Sequence, residues 1–136
     1  PMLDRIDLQI EVPAVSAADL VLPQPCEGSA EVRARVTGAR QVQAARYAAL
    51  ELARVRTNAD CDGALLEEIA APEPQGLSLL RDAANALSLS ARGYHRTLRI
   101  ARTLADLDSE AKVARIHIAE ALSYRGETLR RGRAAA

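Results

Sequence analysis

Polar and apolar positions alternate strictly over residues 5–12, with Ile6, Leu8, Ile10 and Val12 on one side and Arg5, Asp7, Gln9 and Glu11 on the other. A period of two predicts a β-strand that turns one face to a core. No second alternating run follows, and a lone strand cannot satisfy its own backbone N–H and C=O groups. The strand is therefore expected to belong to a sheet whose other strands lie outside these 136 residues. Pro13, Pro23 and Pro25 then mark an extended connector, with one helical turn around Ser16–Leu20.

Beyond the connector the apolar spacing changes to steps of three and four. Ser29 stands as an N-cap before a helix over about 30–56, whose apolar stripe is Val32, Val36, Ala39, Val42, Ala45, Ala49, Leu52 and Val55. Asn58 and Asp60 interrupt it. A short helix over about 62–70 carries Leu65, Leu66 and Ile69 and ends at Pro72 and Pro74. The stretch 75–87 places Leu77, Leu80, Ala84 and Leu87 on one face. Ser90 caps a helix through about Leu107, with Tyr94, Leu98, Ala101 and Leu104 inward. Asp108 or Ser109 caps a last helix to about Tyr124, with Val113, Ile116, Ala119 and Leu122 inward, and the Arg-rich tail from Gly126 is expected to fray. The fold class is thus mainly α: a helical bundle preceded by one isolated strand.

Composition supports the helices. There is no Phe or Trp and only three Tyr, so the core must be built from Leu, Val, Ile and Ala, and an Ala-, Glu- and Arg-rich chain loses little side-chain freedom in a helix. The formal net charge is zero, which argues against a protein that coats nucleic acid generally. Charge is unevenly spread, however: residues 29–61 hold six Arg against three acids, 62–88 one Arg against five, and 89–107 four Arg against one. Cys26 and Cys61 have no metal-ligand spacing and suit reduced thiols of a cytoplasmic protein. No apolar run approaches the roughly 18 residues that a membrane span needs.

Stand-alone chemistry is missing. A phosphate-cradling loop needs Lys directly after Gly, and the only lysine, Lys112, follows Ala111 inside a helical pattern. His95 and His117 have no Cys or acidic partner at ligand spacing, so no metal site is expected, and no nucleophile elbow is present. The chain alone is not expected to hydrolyse nucleotide. Its positive signal is the run of Arg92, Arg96 and Arg99, which the period puts on one outward face of the helix after Ser90. Arg92 falls in the first turn, where the helix already carries roughly half a positive charge and a further cation is unfavourable without an anion. An anionic ligand, or an acid from 62–88, would satisfy it. Arg5, between Asp4 and Asp7, is either a solvated arginine or one presented at a sheet edge.

Two stretches carry a resemblance. Pro1 to Pro13, with its Leu3-Asp4-Arg5-Ile6-Asp7-Leu8 centre, resembles a segment of the ComM/YifB proteins, the magnesium-chelatase-like branch of the AAA+ ATPases, with Met2 where Leu is usual. Leu89-Ser90-Ala91-Arg92-Gly93-Tyr94-His95-Arg96, continued by Arg102 to Leu107, resembles a helix of the same family, with Gly93 where Ala is usual. Residues 29–36 and 119–125 also fit, whereas 62–88 is less family-like.

The resemblance implies a C-terminal lid: residues 1–25 ending the AAA+ core, 26–125 forming the helical lid domain and 126–136 a flexible tail. By the same resemblance Arg5 falls at the arginine finger, reaching the neighbouring subunit's nucleotide, and Arg92 at the nucleotide-binding sensor 2 arginine of its own subunit. No role transfers to Arg96 or Arg99. ATP and Mg would be cofactors of the full-length protein, with none expected on this fragment. The implied partners are the other subunits of a homo-hexameric ring and, for a ComM-like DNA helicase acting in branch migration during natural transformation, DNA; no membrane is implied. The alternatives are the lid of a true magnesium chelatase, or a free-standing helical adapter that binds DNA through the arginines of 33–56 and 92–102.

Overall fold

The structure, a computed structural model, describes residues 5–17, 21 and 27–125. Cys26, Pro23, Pro25, the end of the expected turn at Ser16–Leu20 and the tail from Gly126 lie outside the described residues. Five α-helices are present among those described: α1 (Ser29–Ala49), α2 (Gly63–Ile69), α3 (Pro74–Ala86), α4 (Ala91–Leu107) and α5 (Arg115–Ser123), with a 3-10 turn at Asn58–Asp60. The chain is mainly helical, as its spacing predicts.

Local chemistry sets the boundaries. The Ser90 hydroxyl accepts from the Gly93 N–H at 3.1 Å and starts α4 where the sequence predicts. Pro74 opens α3 at a position whose missing N–H would have no intrahelical partner. Gly28, one residue earlier than expected, caps α1, and its N–H donates to the Glu31 carboxylate at 3.0 Å. Three helices close on a left-handed residue that is not glycine: Glu51 (φ 55°) after α1, Ser88 (φ 49°) after α3 and Ser109 (φ 61°) after α4. In each case the next N–H reaches back five residues, Leu52 to Tyr47, Leu89 to Ala84 and Glu110 to Ala105, so the last carbonyls are satisfied.

Helix α4 is the hub, packing on α1, α2, α5 and the 3-10 turn, while α3 packs on α5. Leu66, Ala70, Leu80, Leu98, Ala101, Ala105, Val113, Ile118 and Ala121 form a core without bulky aromatics apart from Tyr47. Small residues let the helices approach: a Cβ on Gly76 would lie 3.3 Å from Pro72 Cβ and 3.4 Å from the Arg115 backbone nitrogen.

Three expectations change. The strand over 5–12 does not form: among the described residues this segment makes one isolated parallel bridge, Gln9 to Arg125, through the Gln9 N–H and the Tyr124 carbonyl at 2.9 Å. Its apolar side is exposed, from 43% at Ile6 to 83% at Val12, because no sheet covers it among the described residues. The inward face of α1 is Ala39, Gln43 and Tyr47, and Val32, Val36 and Val42 are exposed. The last helix begins at Arg115, not at Ser109 or Glu110, because residues 110–113 are held elsewhere: Arg102 takes the carbonyls of Glu110 and Ala111, and Val113 bridges to Pro72. Its buried face is His117, Ile118, Ala121 and Leu122, with Ile116 68% exposed.

Candidate functional site

The charged residues of the helical bundle separate into a buried set and an exposed set. The buried set surrounds Asp106, which lies in the last turn of α4 and is 1% exposed. Its Oδ2 accepts from Gln43 Nε2 (3.2 Å), Arg46 Nη1 (3.1 Å) and Asn58 Nδ2 (2.8 Å), and its Oδ1 from Arg46 Nη2 and from Arg102 Nε (3.1 Å). Arg102, 2% exposed, sends its remaining donors to the carbonyls of Ala111 (2.8 Å) and Glu110 (2.6 Å). Asn58 also accepts from the Tyr47 hydroxyl and donates to Thr103 Oγ1 at 3.0 Å.

Electrostatics follow from these contacts. Burial pushes the Asp106 carboxyl up, but hydrogen bonds from Arg46 and Asn58 and the charges of Arg102 and Arg46 outweigh it and hold the group below its ordinary value. The hydrogen bond to Asp106 raises Arg46, whereas burial lowers Arg102 despite the same carboxylate. Burial, then the Cys61 thiol that faces it, raises the Tyr47 hydroxyl well above the usual phenol range. A carboxylate saturated by four side chains has no lone pair to offer a ligand, so this centre fastens α1 and the 3-10 turn to α4 and does no chemistry. No group of His, Cys, Asp and Glu that could hold a metal ion occurs among the described residues.

The exposed set is smaller than the spacing predicts. Arg92 is exposed in the first turn of α4, and it makes no ion pair among the described residues. Contact with the acidic 62–88 stretch falls instead to His95, whose Nε2 lies 3.2 Å from Glu67. Arg96 and Arg99, expected beside Arg92 on an outward face, are half-buried. Arg96 pairs with Asp7, and Arg99 donates from Nη2 to the Cys61 carbonyl at 2.7 Å. The N-terminal segment and the loop at Cys61 lie across that face, which helical spacing alone does not disclose.

Arg5 is exposed two residues before Asp7. The Asp7–Arg96 pair therefore brings the Arg5 segment to α4 one helical turn after Arg92. Behind Arg92 the helix is tightly backed: a Cβ on buried Gly93 would meet the Arg125 guanidinium at 3.2 Å. Asp7 was visible in the sequence only as a neighbour of Arg5. Asp106 was visible as the acid four residues after Arg102, a spacing that pairs charges on a helix, but nothing marked that pair as buried.

Comparison with known proteins places this geometry in a family. Residues 26–125 match the family described as magnesium chelatase, subunit ChlI C-terminal. The chain belongs to that family, as the C-terminal part of a magnesium-chelatase-like protein of the ComM/YifB type. Its relatives include the competence protein ComM of Haemophilus influenzae, 37% identical over 126 residues that make up 92% of this chain and 23% of that protein. The uncharacterized protein YifB of Escherichia coli is 36% identical over 126 residues, 92% of this chain and 24% of that protein. An uncharacterized protein of Mycobacterium tuberculosis is 38% identical over 136 residues, 96% of this chain and 25% of that protein. The chain thus spans about a quarter of the length of these relatives. Among the described residues no helix is long and apolar enough to cross a membrane.

Proposed function

We propose that this chain is the lid of a ComM-like AAA+ ATPase, residues 26–125 forming the lid domain proper and 1–25 the end of the ATPase core. In this reading Arg92 reaches nucleotide bound in its own subunit and Arg5 reaches nucleotide held by the next subunit of a homo-hexameric ring. The observation that carries it is Arg92: alone among the four arginines of α4 it is exposed and has no ion pair or side-chain hydrogen bond among the described residues, at a helix start where a cation is electrostatically disfavoured unless an anion faces it. A guanidinium presents a planar fork to phosphate oxygens and stabilises the charge that develops as phosphoryl is transferred. ATP with Mg would be bound by the full-length protein, and Arg92 and Arg5 are the residues here that would touch its phosphates. The ring would be cytoplasmic and would act on DNA in branch migration; the name of the Haemophilus relative ties that protein to competence.

In the full-length protein, Arg5→Ala is expected to lower ATP turnover by about 10³-fold, the lower range for an arginine that completes a site in trans. Arg92→Ala is expected to abolish turnover as well, with the melting curve unchanged in both. Wild-type hydrolysis by either variant would remove that residue's role. The family description itself favours one other reading, a subunit that drives metal insertion into a porphyrin. DNA-stimulated ATPase activity supports the first reading, and stimulation by chelatase partner subunits but not by DNA supports the second. A free DNA-binding adapter is disfavoured, since Arg96, Arg99 and Arg102 are already engaged.

A further inference from the structure

The segment that carries Arg5 is attached to the bundle in an unusual way. Its apolar side chains do not anchor it: Ile6, Leu8 and Ile10 are 43%, 49% and 67% exposed. Beneath them lies an open groove of about 360 Å³ whose walls include Leu8, Ile10, Ile100, Leu104 and Tyr124. Polar contacts hold the segment across that groove, and two of them matter here. One is the Gln9 N–H to the Tyr124 carbonyl at the end of α5, 2.9 Å. The other is the ion pair of Asp7 with Arg96, in which the arginine side chain is 21% exposed and the carboxylate 46%. Arg96 stands one turn after Arg92 on the same helix, and Asp7 two residues after Arg5.

From this we infer that Asp7 and Arg96 are a pair of positioning residues that yoke Arg5 to α4, so that any movement of the helix carrying Arg92 is passed to Arg5. The inference rests on the proposed roles of those two arginines. In a ring the two would serve different nucleotides, Arg92 its own subunit's and Arg5 the neighbour's. A strut between them lets occupancy of one site set the placement of the arginine at the next. Neither Asp7 nor Arg96 needs to touch nucleotide for this. A partly exposed ion pair is weak, so the strut biases the placement of Arg5 and does not lock it.

The test uses the full-length protein with Asp7→Asn, Arg96→Gln and the double variant. Each single change is expected to lower kcat by about threefold to fivefold, with KM for ATP within twofold of wild type. The double variant is expected to be no worse than the singles, because both remove one interaction. Wild-type kcat in either single variant, or losses that multiply in the double variant, would overturn the strut. A second readout does not depend on hydrolysis: spin labels at Val12 and Ala91, both exposed, are expected to give one narrow distance with or without ATP, broadened by Asp7→Asn. An unchanged distribution in Asp7→Asn would count against the inference even if turnover fell. The two readings fail separately, since full hydrolysis by Arg5→Ala or Arg92→Ala removes the proposed function while the label distances still report the strut.

Discussion

Arginines around Asp106 and arginines at the exposed edge proposed to face nucleotide share one side chain and little else. Arg46 and Arg102 bring α1 and the loop after α4 onto a single carboxylate, whereas Arg5 and Arg92 stand in solvent with no ion pair among the described residues. Burial explains the difference. Taking a guanidinium and a carboxylate out of water costs several kcal/mol per ion and is tolerated only when nearly every donor and acceptor is matched. The Asp106 centre meets that condition, so its residues are fixed. At the edge no ion pair matches Arg92 among the described residues, and in the proposed reading the match is supplied by nucleotide.

This contrast can be broken most forcefully at its centre. Asp106→Ala leaves Arg46 and Arg102 without their carboxylate and is expected to destabilise the chain by about 3–5 kcal/mol, read from the midpoint of denaturant unfolding. A loss under about 1 kcal/mol would show that the network is solvated and that the distinction from Arg92 is false.

An intermediate effect is expected from pH. The folded Asp106 titrates below its ordinary value, so its contribution is present above about pH 4, the unfolded carboxyl's range, and is lost as pH falls through the lower folded value. Tyr47 behaves in the opposite sense: its folded hydroxyl titrates above the usual phenol range, so its contribution is present below about pH 10 and is lost as pH rises beyond that. Unfolding midpoints measured across pH should fall at both ends. Tyr47→Phe should flatten the alkaline limb only, and an alkaline limb unchanged by it would refute the assignment.

The smallest effect should come from the edge. Arg92→Ala in the 136-residue chain is expected to change stability by less than about 0.5 kcal/mol, as for an exposed side chain with no fixed partner. A larger loss in the same denaturant titration would mean that Arg92 holds the fold together, and the contrast with the Asp106 centre would close.

Much of the helical order was legible because it rests on local rules. Ser90 and the three-and-four spacing of Leu98 and Ala101 locate α4 closely, while Pro74, expected only to end the preceding helix, also opens α3. The inward face of α1 was not legible. Its valines look like a core stripe, yet Gln43 and Tyr47 are the buried residues, since the surface they meet presents Asp106 and Asn58. A hydrophobic period cannot register burial that is driven by a polar partner. The start of α5 was misplaced for a similar reason: Ser109 closes α4 in a left-handed turn, and Arg102, far back in the chain, holds the carbonyls that follow. For the candidate site, the helical period marked Arg92 as outward-facing, while the engagement of Arg96 and Arg99 depends on segments that cross α4 from distant positions.

The exposed valines of α1 have a mechanical meaning as well. Every residue from Ser29 to Thr37 is exposed, and the first buried position is Ala39, so the helix is clamped to α4 only through its second half. The free part is roughly 15 Å long at 1.5 Å per residue. A tilt of about 10° at the Asp106 clamp would sweep its tip through roughly 3 Å. Helix α1 is thereby an outrigger: small rotations of the lid become displacements of atomic size at Ser29, the end that leads back toward the segment bearing Arg5.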